Sequence, residues 1–123
     1  MQIDQQNSVD IESFAQWLKI IGEPNRLRII NLLMGGVQCN CEIGDVLGMA
    51  PNLISHHLKV LRDEGLVNVE RDSADSRWLY YTLNIEKLDL IQKTFSEFFD
   101  PTRIQPRQAS CGPRDAILEL TTN

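Results

Sequence analysis

The chain has 123 residues, 42% of them hydrophobic, which suits one compact domain, leaves little room for a second, and gives a core small enough to invite dimerisation. A formal net charge of −5 excludes a broadly basic nucleic-acid coat, so any DNA binding must be local and geometric. No charged leader precedes an apolar run, no apolar stretch is long enough to span a bilayer, and three cysteines is an odd count, so reduced thiols in a cytoplasmic protein with no membrane partner are expected.

The spacing predicts a first helix over 11–21, with Ile11, Phe14, Leu18 and Ile21 on one face before Gly22 interrupts it. Pro24 opens a second, NRLRIINLLM. Its Leu27, Ile29, Ile30, Leu32 and Leu33 cover too much of the circumference for a surface helix, which predicts a central one ended by Gly35 and Gly36. A short third helix over 42–47 is expected to turn Ile43, Val46 and Leu47 inward. After the break Gly48-Met49-Ala50, Pro51 starts a fourth that runs to about Glu64, with Gly65 where a C-cap belongs. Residues 66–71 and 77–83 are β-rich, and the polar stretch from Asp72 to Ser76 joins them in a hairpin. Behind Asn84 as cap, Ile85, Leu88, Ile91, Phe95 and Phe98 repeat at helical spacing until Pro101 stops the helix. The polar remainder has room for one short helix over 115–120.

The fold class is therefore mainly α with a β-hairpin wing: a winged helix-turn-helix of order α-α-α-α-β-β-α, with residues 1–100 as the DNA-binding and dimerisation domain and 101–123 as a tail. In the fourth helix Leu53, Ile54, Leu58 and Leu61 are expected to anchor the core. That leaves Asn52, Ser55, His56 and Lys59 outward, as donors to base edges or phosphates or as an ordinary solvated face.

Three stretches carry a family resemblance: IIGEPNRLRIINLL, then CNCEIGDVLGMAPNLISHHLKVLRDEGLV, then RWLYYTL. In order, over residues 14–99, they resemble the ArsR/SmtB family of metal-responsive bacterial repressors, through Glu23-Pro24-Asn25-Arg26-Leu27-Arg28-Ile29, the S-H-H-L-K-x-L-R core and the Tyr-Tyr of the wing. The resemblance implies a homodimer built on the first and last helices that binds an inverted repeat in double-stranded DNA, lets go when an inducer binds, and touches bases with Ser55 and His56. It also implies a regulator and not an enzyme; no phosphate-binding glycine loop or acid–base pair stands in the sequence. Two departures matter. Ala50-Pro51-Asn52 replaces the family's common Ser-Gln-Ser, so the operator should differ. The wing turn RDSADSR lacks the usual glycine, which predicts a longer, more mobile tip around the candidate phosphate contacts Arg71 and Arg77.

The family's zinc and cobalt sensors bind through Asp and His of the last helix, yet the only histidines here, His56 and His57, lie in the fourth helix. What remains is Cys39-x-Cys41, which resembles the C-V-C motif of arsenic and of cadmium or lead sensors. Residues two apart on a regular helix point to nearly opposite sides, so such a pair converges only where the backbone is not yet helical. A helix N-terminus meets that need, and its dipole is expected to lower thiol pKa. The arsenic-sensor variant has another cysteine three positions on, where Gly44 stands here, leaving Cys111 as the candidate third ligand.

Three thiolates without histidine suit As(III), Sb(III), Bi(III) or Pb(II), whereas Cd(II) would need a further donor. Other readings stay open: Cys41 as a small apolar residue, Cys111 as an idle tail thiol, a disulfide switch joining Cys111 to Cys39 or Cys41, and a winged helix that binds protein and not DNA.

Overall fold

The computed structural model describes residues 10–112, so the short helix expected over 115–120 lies outside the described residues. Five helices and a small sheet follow in the order α1 (Ile11–Ile21), α2 (Pro24–Met34), β1 (Gln38–Cys39), α3 (Asn40–Leu47), α4 (Pro51–Asp63), β2 (Val67–Arg71), β3 (Leu79–Leu83) and α5 (Ile85–Phe98), with one 3-10 turn at Pro101–Arg103. None of these helices is long and apolar enough to cross a membrane.

Helix starts are set by side chains that satisfy the first free N–H groups. Asp10 accepts from the Glu12 N–H, Glu23 from Arg26 N–H at 3.0 Å, and Asn84 from Lys87 N–H at 3.2 Å. Pro24 and Pro51 occupy first-turn positions, where the missing N–H costs nothing. The turn between α3 and α4 depends on Gly48, whose φ of +65° is the left-handed conformation that ends α3 and sends the chain back across it.

The core gathers Ile29, Ile30 and Leu33 of α2, Ile43 of α3, Ile54, Leu58 and Leu61 of α4, Val67 of β2, Tyr81 of β3 and Ile91 of α5. As the apolar pattern of α2 predicts, this helix is central, although Leu27 is exposed on its outer side. Phe14 of α1 is buried against the rings of Phe95, Phe98 and Phe99, joining the first helix to the last. Ile11, Phe95 and Phe99 nonetheless remain exposed on that side of the molecule.

Three expectations are corrected. The sheet has three antiparallel strands in the order β1-β3-β2, because Gln38 and Cys39 pair with Tyr81 and Tyr80. Two residues carry no alternating pattern from which a strand can be read. Val46 is 64% exposed, since Ile43 and Leu47, four apart, take the inward face of α3. Leu53 is 39% exposed, because the buried stripe of α4 is Ile54, His57, Leu58 and Leu61, and Leu53 falls a helical step outside it.

The wing turn spans the residues between Arg71 and Leu79. Without glycine it is organised by acids: Asp72 Oδ2 accepts from the N–H of Ala74 at 2.9 Å and of Asp75 at 2.8 Å. Asn84 ties the wing to what precedes it, since its Nδ2 donates to Gly65 O at 2.9 Å while its Oδ1 caps α5. Replacing Asn84 by alanine removes both bonds and should lower unfolding free energy by about 1–2 kcal/mol. Urea denaturation checks this; an unchanged midpoint would show that the two bonds contribute nothing net.

Candidate metal centre and nucleic-acid interface

Cys39 is the N-cap of α3, with φ −85° and ψ 163°, and Cys41 lies in the first turn. Extended backbone at the first and helical backbone at the second swing the two side chains to one side, and their Sγ atoms stand 3.4 Å apart. Two sulfurs each about 2.3 Å from a common metal ion span at most about 4.6 Å, so this separation is a chelating one. Glu42 holds the cap in place by accepting from the Cys39 N–H at 2.8 Å. Cys39 is buried and Cys41 exposed, so a ligand would approach from the Cys41 side.

The expected drop in thiol pKa is not found at Cys41. Its pKa is raised, first by the hydrogen bond with Cys39, then by desolvation and by the negative charges of Asp45 and Glu42. The hydrogen bond, desolvation and nearby negative charge outweigh the helix dipole, and a ligand would have to displace protons there. Cys111 is exposed beyond α5, and its carbonyl accepts from the Arg107 guanidinium. No group of three or more His, Cys, Asp or Glu side chains converges as a metal site among the described residues, so within one chain the thiol pair stands without Cys111.

On α4, Asn52, Ser55, His56 and Lys59 are all exposed. Three of the candidate cations already have partners. Lys59 Nζ lies 2.7 Å from Asp63, Arg77 forks onto Asp75 at 3.0 and 2.7 Å, and Arg71 donates to Ser76 O. Such exposed pairs are worth little in water, so exchanging a carboxylate for a phosphate costs little.

One polar residue was missed as a structural element. His57 is buried in the stripe of α4, and its Nδ1 lies 3.1 Å from Arg26 Nη1. Guanidinium only donates, so Nδ1 accepts and the neutral ring carries its proton on Nε2, which faces Glu23 Oε1 at 4.0 Å. Arg26 Nε in turn donates to Ile20 O at 2.8 Å. The start of α2 is thereby fastened to the middle of α4. The available signal was a histidine at i+3 of an otherwise apolar i, i+4, i+7 row, together with an arginine 31 residues earlier that stands three positions after a capping glutamate.

Five helices around a three-stranded sheet, with an exposed polar face on the helix that follows a tight turn, define a winged helix-turn-helix DNA-binding regulator. The chain belongs to the arsR family of bacterial regulatory proteins, whose model matches residues 23–69. It is 33% identical over 87 residues to an uncharacterised helix-turn-helix-type transcriptional regulator of Methanocaldococcus jannaschii, covering 70% of this chain and 94% of that protein. It is 34% identical over 76 residues to the arsenical resistance operon repressor of Staphylococcus xylosus, covering 62% and 70%. A crystal structure of a possible transcriptional regulator for arsenical resistance superposes with a TM-score of 0.60 at 32% identity, covering 67% of this chain and 82% of that one. The protein is thus a DNA-binding transcriptional repressor of this family and not an enzyme; such regulators typically act as dimers.

Burial, followed by the Arg26 charge, holds the His57 pKa below its ordinary value, with Glu23 opposing. A folded value below the unfolded one means the unfolded chain binds the proton more readily. The contribution of neutral His57 is therefore complete above about pH 6.5 and is lost as pH falls from there through the folded value. The urea midpoint should drop between pH 7.5 and 5.5 and drop less in His57→Gln; equal slopes in the two proteins would exclude His57 as the source.

Proposed function

We propose that this repressor leaves its operator when a thiophilic trivalent metalloid, As(III) or Sb(III), is held by Cys39 and Cys41. The observation that carries the reading is the 3.4 Å approach of two thiols at the N-cap of the helix that packs on the DNA-reading helix. Soft donors with no histidine beside them suit a soft ion. Cys111 supplies the third thiolate for inorganic As(III), through a rearranged tail or from the partner subunit. Residues 1–100 serve as the DNA-binding and dimerisation unit and 101–123 as this ligand-bearing tail.

Two routes lead from the thiols to the reader. Through β1, Cys39 is paired to Tyr80 of the wing strand β3. Through α3, Cys41 is joined to the turn before α4, where Gly48 and Met49 N–H both donate to Gly44 O. Drawing the thiols onto one atom moves the start of α3 against both. Release needs only about 1–3 kcal/mol of difference in ligand affinity between free and DNA-bound protein. On the operator, Ser55 and His56 reach bases, Asn52 and Lys59 reach base edges or phosphates, and Arg71 and Arg77 follow the backbone from the wing. Ile11 of α1, Phe95 of α5 and Phe99 just beyond it, all apolar and exposed, form the dimer face.

Fluorescence anisotropy of reduced protein on DNA from its own upstream region, titrated anaerobically with arsenite, tests this. Cys39→Ser and Cys41→Ser should each keep operator affinity and abolish release; a serine variant still released by arsenite refutes the site. His56→Ala should weaken operator binding by about 1–3 kcal/mol. Wild-type affinity in that variant would take His56 out of the interface.

A further inference from the structure

Beside the thiol pair, between α3, the start of α4 and β3, lies a cleft of about 320 Å³. Cys41 stands at its edge. Ile54, Leu58, Leu79 and Tyr81 give it an apolar wall, and Pro51 and Ser55 of the DNA-reading helix line it as well. Gly44, one turn beyond Cys41, leaves it open: a Cβ there would touch only Met49 O at 3.5 Å and Ile54 Cγ1 at 3.9 Å. Asn40 also lines the cleft, and its Oδ1 atom is buried without a hydrogen-bond partner.

We infer that the cleft holds the organic substituent of a trivalent arsenical, RAs(OH)2 with R an aryl or alkyl group, whose arsenic is bound by Cys39 and Cys41. This rests on the thiol-pair reading above and names the ligand class of that site. Valence supports it. Trivalent arsenic makes three bonds, and a carbon substituent already fills one, so two thiols complete the set and Cys111 is not required. The exchange is redox-neutral: two As–O bonds break, two As–S bonds form, and the two thiol protons leave with the hydroxyls as two waters. Arsenic stays trivalent throughout.

Size and lining agree. A cavity of about 150 Å³ lined by apolar side chains holds a benzene ring, so 320 Å³ has room for an aryl group with a polar substituent turned toward Asn40. Placement gives the regulatory consequence, because a group in this cleft lies against Pro51 and Ser55 at the end of α4 that enters the DNA groove. Ligand and operator then compete for one end of one helix.

The test uses the full reduced chain on operator DNA, titrated anaerobically with arsenite, methylarsonous acid and phenylarsine oxide. Both substituted arsenicals should release DNA at lower concentration than arsenite. Phenylarsine oxide should act about tenfold below methylarsonous acid, roughly 1.4 kcal/mol of cleft burial. Leu79→Trp, which fills the cleft from β3, and Gly44→Ala, which narrows it from α3, should each shrink the phenyl-over-methyl preference while arsenite still releases the DNA. Circular dichroism shows whether each variant is folded. If arsenite releases the wild-type complex but the substituted forms need as much or more, or if the phenyl preference survives in both folded variants, this inference falls and the thiol-pair reading stands. If none of the three compounds releases DNA, or if release survives in Cys39→Ser and Cys41→Ser, the thiol-pair reading itself falls.

Discussion

The rest of the structure depends on one stretch of extended backbone at Cys39. With ψ at 163° that residue is still strand, paired across to Tyr80, while the next is already helix. Had α3 begun one residue earlier, Cys39 and Cys41 would sit on opposite sides of it and could not share a ligand. The Glu42 carboxylate fixes the boundary by accepting from the Cys39 N–H, and Gly48 fixes the other end of the helix eight residues on. A thiol pair, a wing strand and the turn into the reading helix therefore meet within ten residues.

In the proposed function, that arrangement turns local chemistry into a change in shape. α4 is seated by a single stripe, Ile54, His57, Leu58 and Leu61, and by the Arg26 contact that reaches it from α2. α3 packs on the same helix from the thiol side, with Gly44 close to Ile54. Side chains packed at this density respond to a shift of the α3 start by moving together. Surface electrostatics fit a reader that works by geometry: the chain is acidic overall, and Lys59, Arg71 and Arg77 each have a hydrogen-bond partner within five residues.

Much of this was legible in the sequence because strong local signals agreed. Pro24 and Pro51 mark helix starts, Asn84 marks a cap, and the apolar rows of α1, α2 and α5 set type and position, so the element order follows with boundaries close to those observed. Cys39-x-Cys41 could be flagged because its spacing makes sense only off a helix. β1 could not be read, since a two-residue strand exists only by virtue of its partner β3. The outward turn of Val46 and Leu53 depends on which of two adjacent apolar residues the neighbouring helices cover, and composition does not decide that. His57 was hidden for a related reason: its partners lie more than thirty residues away. The raised pKa of Cys41 likewise follows from a hydrogen bond, and the helix dipole alone predicts the opposite sign. The cleft beside it is a property of three elements at once, visible only when they are assembled.

Thermodynamic reciprocity offers the most direct test of the central claim, that a ligand on Cys39 and Cys41 and the operator on α4 oppose each other. Arsenite affinity would be measured on the reduced protein alone and on the protein saturated with operator DNA. The account predicts weaker arsenite binding to the DNA complex, by the same factor by which saturating arsenite weakens DNA binding. Equal arsenite affinities in the two states would mean that the thiol pair and the DNA-reading helix are not coupled.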